Sequence, residues 1–161
     1  MKIREVIRSD NPHLAIVIRR VLKEMKVPLK GTAYADRELD NMYQAYSVPR
    51  SIYFVVQFND QILGGAGIMP LNKGTKNICE LQKMYLDPKA RGKGVGSNLL
   101  ELCLSFAREN NFSLCYLETM PYMLDAQALY RENGFIYINN PMGDTGHYSC
   151  PVWMTKELWF H

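Results

Sequence analysis

A chain of 161 residues with 47% apolar and 22% charged side chains is sized for one domain, 1–161, with its own core, which excludes a disordered tail protein. A net charge of +3 is too mild for a chain devoted to wrapping nucleic acid, so no nucleic-acid partner is expected. The cysteines Cys79, Cys103, Cys115 and Cys150 contain no C-x-x-C pair, and His13, His147 and His161 lack metal-ligand spacing, so neither a disulfide framework nor a metal is expected.

In chain order, Lys2 to Ile7 reads as a strand that alternates charged and apolar residues, unlike an export signal. Ser9-Asp10-Asn11-Pro12 starts a helix: Asp10 or Asn11 can accept from the orphan amides, and Pro12 suits the first turn. Leu14, Val17, Ile18, Val21, Leu22 and Met25 keep the helical period until Pro28 and Gly31 end it. Asp36 is expected to cap a second, short helix carrying Leu39, Met42, Tyr43 and Tyr46 on one side.

Ser51 to Phe58 is rich in β-branched and aromatic residues, and Asn59-Asp60 turns it back into Gln61 to Met69, a hairpin. The longest apolar runs, Ile52 to Val56 and Ile62 to Met69, are far short of the ~20 residues that span a bilayer, so a cytoplasmic protein without a membrane partner is expected. Asn77 to Leu86 is a strand stopped by Asp87-Pro88. A helix from Val95 to Asn110 presents Leu99, Leu102, Cys103 and Phe106 on one face, with Leu100 and Ala107 beside them. Ser113 to Thr119 is a strand, Leu124 to Asn133 a helix, Phe135 to Asn139 a strand after Gly134, and His147 to Leu158 a closing strand with Pro151 as an interruption. Strands and helices interleave without a linker or repeat, which predicts an α/β chain built on one mixed sheet covered by helices.

The most informative segment is Arg91-Gly92-Lys93-Gly94-Val95-Gly96-Ser97, which leaves a strand and enters a helix. Alternate glycines bare the backbone, and the first amides of a helix lack internal acceptors and carry the positive dipole end, so phosphate is the natural guest. Arg91 and Lys93 add positive charge. The spacing fits neither a P-loop nor the dinucleotide fingerprint, because the position five after Gly92 is Ser97 rather than glycine. On spacing alone, a plain strand-to-helix connection stays open.

Three stretches together resemble the GNAT superfamily of acyl-CoA-dependent N-acyltransferases. Arg91-x-x-Gly94-x-Gly96 matches its [QR]-x-x-G-x-[GA] signature, Glu80 to Pro88 is similar to its central strand, and Ala126-x-x-Leu129-Tyr130-x-x-x-Gly134-Phe135 is similar to its later helix and following strand. The resemblance implies a mostly antiparallel sheet of six to seven strands with helices on both faces. It implies transfer of an acetyl group from acetyl-CoA to a primary amine, either a small molecule or a peptide amine. It assigns the pantetheine arm to the backbone of Met84, Tyr85 and Leu86, and the diphosphate to Arg91, Gly92, Lys93, Gly94, Val95, Gly96 and Ser97. It makes Tyr130 the acid that protonates the thiolate and Glu80 a base.

Tyr34, Tyr43, Tyr46 and Tyr53 fall on the implied acceptor side. His147, in a turn-rich stretch, is a candidate for binding the acceptor or an alternative base. Cys150 is a poor nucleophile candidate without a lowered pKa. Met123 stands where the family often has a coenzyme-contacting asparagine, which puts the coenzyme geometry there in question. A non-catalytic acyl-CoA-binding sensor is the rival function. The acceptor and the oligomeric state are not legible, and a homodimer is compatible with the sequence.

Overall fold

The structure, a computed structural model, describes residues 1–159; His161 lies outside them. Its elements are β1 (Lys2–Glu5), α1 (Asn11–Glu24), α2 (Met42–Ala45), β2 (Ile52–Phe58), β3 (Gln61–Pro70), β4 (Ile78–Leu86), α3 (Val95–Glu109), β5 (Leu114–Thr119), α4 (Leu124–Glu132), β6 (Ile136–Ile138) and β7 (Val152–Glu157). The seven strands form one sheet in the order β1-β2-β3-β4-β5-β7-β6. Among the described residues only β4 and β5 run parallel, and every other pairing is antiparallel. This is the mixed, mostly antiparallel sheet that the sequence predicts.

Helices cover both faces. Leu14, Ile18 and Leu22 of α1 pack with Met42 and Leu39 against Tyr53 and Val55 on one side. On the other, Leu99, Leu100, Cys103 and Leu104 of α3 meet Cys79, Leu81, Cys115 and Leu117. Burying such side chains contributes about 1.5–3 kcal/mol each, so these two layers hold the sheet between them. All four cysteines are free thiols.

Four local expectations change. The buried face of α3 is turned by about one residue: Leu99, Leu100, Cys103, Leu104 and Ala107 are buried, whereas Leu102 is 40% exposed and Phe106 only half-buried. The run of apolar residues on α3 is broad enough to fit either stripe, and contact with the sheet decides between them. Asp10 and Asn11 do not cap α1. Asp10 takes a bidentate pair from Arg4 at 2.8 and 3.0 Å and the Ile7 amide at 2.8 Å, while Asn11 Oδ1 accepts from the Tyr43 amide at 2.8 Å. Both side chains tie neighbouring elements to α1 instead.

Asp36 likewise caps nothing. It precedes a single 3-10 turn, Arg37–Asp40, and its carboxylate turns to Lys83 and His147, whose charged donors bind it more strongly than a neutral amide would. The last strand begins at Val152, and His147 to Pro151 is a loop.

Strand β4 departs from regular pairing in two places. Between the pairs Gly67–Gln82 and Gly65–Tyr85, Ala66 alone faces both Lys83 and Met84, and Lys83 sits at φ 49°. This is a β-bulge, which resets the alternation of the strand. Further, β4 and β5 pair only from Ile78–Leu114 to Glu80–Tyr116. Beyond that point β4 stays with β3 and β5 stays with β7, so the sheet opens between them.

Candidate active site

The opening between β4 and β5 is a cavity of about 440 Å³. One wall is β4 from Leu81 to Leu86, and the other is β5 and its continuation from Leu117 to Met120. Along Leu81–Leu86 the β4 edge facing β5 has no strand partner among the described residues, so its main-chain groups are available to a ligand lying alongside, apart from the carbonyls of Lys83 and Leu86, which accept from Tyr53 and Arg91.

At one end lies the glycine turn. Arg91, Gly92, Gly94, Gly96 and Ser97 line the cavity. Gly92 (φ +71°) and Gly94 (φ +77°) hold left-handed conformations, and a Cβ on either would project into open space. The first amide of α3 to bond back is that of Asn98, to the Gly94 carbonyl at 3.2 Å. Those of Val95, Gly96 and Ser97 therefore have no acceptor within the helix. Arg91 is anchored by its Nε to the Leu86 carbonyl at 2.9 Å and by a guanidinium nitrogen to Glu24 at 2.7 Å. Lys93 is exposed and does not line the cavity. Val95 is buried in the core cluster on the α3 side and does not line the cavity.

Met84, Tyr85, Leu86 and Tyr130 also line the cavity. Tyr130, 6% exposed, packs on Phe135 with ring centroids 5.8 Å apart, and its hydroxyl has no hydrogen-bond partner among the described residues. Burial pushes its pKa well above the usual tyrosine range, so the hydroxyl keeps its proton. Met123 lines the cavity beside Asp125 and Ala126 at the start of α4.

Glu80 and His147 are not in the cavity wall. They meet instead at its inner end, where atoms of Glu80, Glu118 and His147 all lie within 4.8 Å of one another. Glu118 does line the cavity, held by the hydroxyls of Tyr116 (2.6 Å) and Thr145. Glu80, 4% exposed, accepts from Gln82 Nε2 at 2.6 Å, and Gln82 accepts from Tyr46 at 2.6 Å. Burial raises the Glu80 carboxyl to about 7, with Glu118 adding to the rise against the hydrogen bond from Gln82 and the charges of His147 and Lys83.

An ion-pair chain continues outward. His147 Nε2 lies 2.9 Å from Asp36, and Lys83 Nζ lies 3.1 Å from Asp36 and 3.0 Å from Glu38. Burial pulls the His147 imidazolium down, but Asp36 more than offsets it and the group ends above the ordinary histidine value. Lys83, with a side chain only 1% exposed, is likewise lowered by burial and raised further by the two carboxylates. The Asp36 carboxyl ends below its usual range, since His147 and Lys83 outweigh its burial.

The four acceptor-side tyrosines are outside the cavity wall. Tyr46 and Tyr53 are buried under the sheet, their hydroxyls on Gln82 and on the Lys83 carbonyl, while Tyr34 and Tyr43 stack beneath Lys23 and Arg8. Cys150 lines the cavity, but burial and then the charges of Glu118, Asp36 and Glu80 push its thiol up to about 12, so it is no nucleophile. Sequence reasoning missed Glu118, Lys83 and Asp36. Glu118 carried a readable signal, a carboxylate alternating with the apolar Cys115 and Leu117. Lys83 did not, because only the bulge turns it to this side.

The Acetyltransferase (GNAT) family model matches residues 18–135. The uncharacterized N-acetyltransferase YjgM of Escherichia coli (strain K12) is 44% identical over 156 residues, covering 96% of this chain and 93% of that protein. A GNAT-family acetyltransferase from Staphylococcus aureus Mu50 superposes with a TM-score of 0.83 at 23% identity, over 98% of this chain and 99% of the other. YncA from Salmonella typhimurium, solved with acetyl-CoA, superposes with a TM-score of 0.79 at 18% identity, over 100% and 95%. The chain belongs to the acetyltransferase (GNAT) family.

Proposed function

We propose that this protein transfers an acetyl group from acetyl-CoA to a primary amine by direct attack, without a covalent enzyme intermediate. The observation that carries the reading is one continuous cavity joining the bare-amide turn at Gly92–Ser97 to Tyr130 and the buried carboxylate of Glu118. The residues present fit the coenzyme: positive-φ glycines facing open space and unpaired helix amides suit a diphosphate, and the unpaired β4 edge at Met84–Leu86 suits the amide groups of pantetheine.

When bound, the coenzyme supplies the thioester carbonyl as electrophile. The chain does the rest. A β4 main-chain amide on the open edge stabilises negative charge developing on the carbonyl oxygen. Tyr130, held protonated by burial, donates its proton to the departing thiolate. Glu118 meets the incoming ammonium, and Glu80, with a carboxyl near 7, receives the proton within the Glu80–Glu118–His147 cluster. His147 positions this cluster from the Asp36 side.

Thiol release on incubation with acetyl-CoA and a panel of amines tests the proposal. Release dependent on an added amine supports it. Binding of acetyl-CoA, seen as thermal stabilisation, with no release for any amine would leave a coenzyme sensor instead.

A further inference from the structure

The two ends of the cavity differ in charge. The glycine turn offers helix amides, with Arg91 and Lys93 beside them. At the inner end Glu118 and Lys83 line the cavity, and behind them lie Glu80, Asp36 and His147, with Glu38 at the outer side of Lys83. Lys83 is matched by Asp36 and Glu38, and His147 is shared between Asp36 at 2.9 Å and Glu118 at 4.0 Å. Carboxylates outnumber cations two to one, and the excess falls on Glu80 and Glu118, whose other partners are neutral donors.

Glu80 supplies a second, separate observation. Although 4% exposed, it uses only Oε1, in the hydrogen bond from Gln82. No fully buried side-chain oxygen or nitrogen among the described residues lacks a partner, so Glu80 Oε2, without a hydrogen bond, keeps some accessible surface, and a Glu80 carboxylate oxygen lies within 4.8 Å of one of Glu118. Two carboxylates this close in a buried setting repel each other, and a cation between them relieves the repulsion. A carboxylate arriving with the substrate would add to it.

We infer that the acceptor is a cationic amine with no carboxylate next to its nucleophilic nitrogen, and that Asp36, Glu38, Glu80 and Glu118 select it against free α-amino acids. This rests on the acetyl-transfer reading and narrows it to a substrate class.

Matched pairs that carry one primary amine and differ only by the α-carboxylate test the inference: histamine with histidine, tyramine with tyrosine, and phenethylamine with phenylalanine. For the best-used pair, kcat/KM is expected to be at least tenfold higher for the amine, with the amino acid amide siding with the amine. Glu38→Gln, outside the cavity wall, is expected to narrow that ratio at least threefold, mainly through KM. Equal or faster turnover of the amino acids overturns the inference and leaves acetyl transfer standing. No thiol release for any amine overturns acetyl transfer. In that event calorimetry with coenzyme A present decides the charge selection: binding of the amine but not its amino acid supports it, and equal binding overturns it. Tight binding of Zn²⁺ or Mg²⁺ to the dialysed protein, abolished in Glu118→Gln, would make the cluster a metal site and overturn the inference as well.

Discussion

Replacing Glu80 by glutamine removes a buried acid while keeping its shape, and the pH dependence of the effect comes from its surroundings. The folded-state carboxyl sits at about 7 against 4.5 for an unperturbed glutamate. Because the folded pKa is the higher one, this group's favourable contribution is complete below 4.5 and is lost as pH rises through 7. At about 1.4 kcal/mol per pH unit, ionisation in the folded protein costs about 3 kcal/mol relative to the unfolded chain. The wild type should therefore lose about 3 kcal/mol against Glu80→Gln between pH 4.5 and pH 8.5, or roughly 6–12 °C in Tm for a chain of this size. Urea unfolding of both proteins across that range measures it. His147 and Asp36 also titrate between folded and unfolded states, but they are present in both proteins and largely cancel in the difference. A stability difference that stays flat from pH 4.5 to 8.5 would refute a buried, ionisable Glu80.

Three further outcomes are expected. Tyr130→Phe should lower kcat by roughly 100-fold or more, the scale of a positioned acid, while leaving coenzyme affinity within about twofold; equal turnover would remove Tyr130 from the mechanism. Gly94→Ala forces an alanine into a left-handed conformation and sets a methyl in the open cradle, costing about 1 kcal/mol of stability. The same variant should raise KM for acetyl-CoA about tenfold or more, read by kinetics and by lost thermal stabilisation with coenzyme A. On α3, Leu104→Ala should cost about 2–5 kcal/mol and Leu102→Ala under about 1 kcal/mol, since only Leu104 is enclosed; similar losses in urea unfolding would contradict the observed face.

Much of this architecture is readable from local pattern. The hairpin at Asn59-Asp60, the period of Leu14 to Leu22 and the glycine turn before Val95 each carry a local signal, and each stands where that signal points. Where long-range partners compete, local reading fails. Asp36 looks like a helix cap until Lys83 and His147, distant in sequence, claim its carboxylate. The one-residue ambiguity along α3 has the same origin, because the sheet chooses between two apolar stripes of similar strength. In the site, the glycine turn stands out in the sequence, but its ligand role and that of Tyr130 come from the family resemblance rather than from spacing, and both line the cavity. The assembly of Glu80, Glu118 and His147 is not, because it requires three segments to converge where β4 and β5 part.

The extra residue in β4 acts as a phase shift in a two-beat rhythm. Before it, odd-numbered side chains such as Cys79 and Leu81 pack toward α3; after it, even-numbered Met84 and Leu86 take over that side while Tyr85 turns to the layer of α1. Losing or gaining one position between Leu81 and Tyr85 would exchange the two sets wholesale, sending donor-side groups to the acceptor side and the reverse. This stretch should thus accept changes of identity far more readily than changes of length.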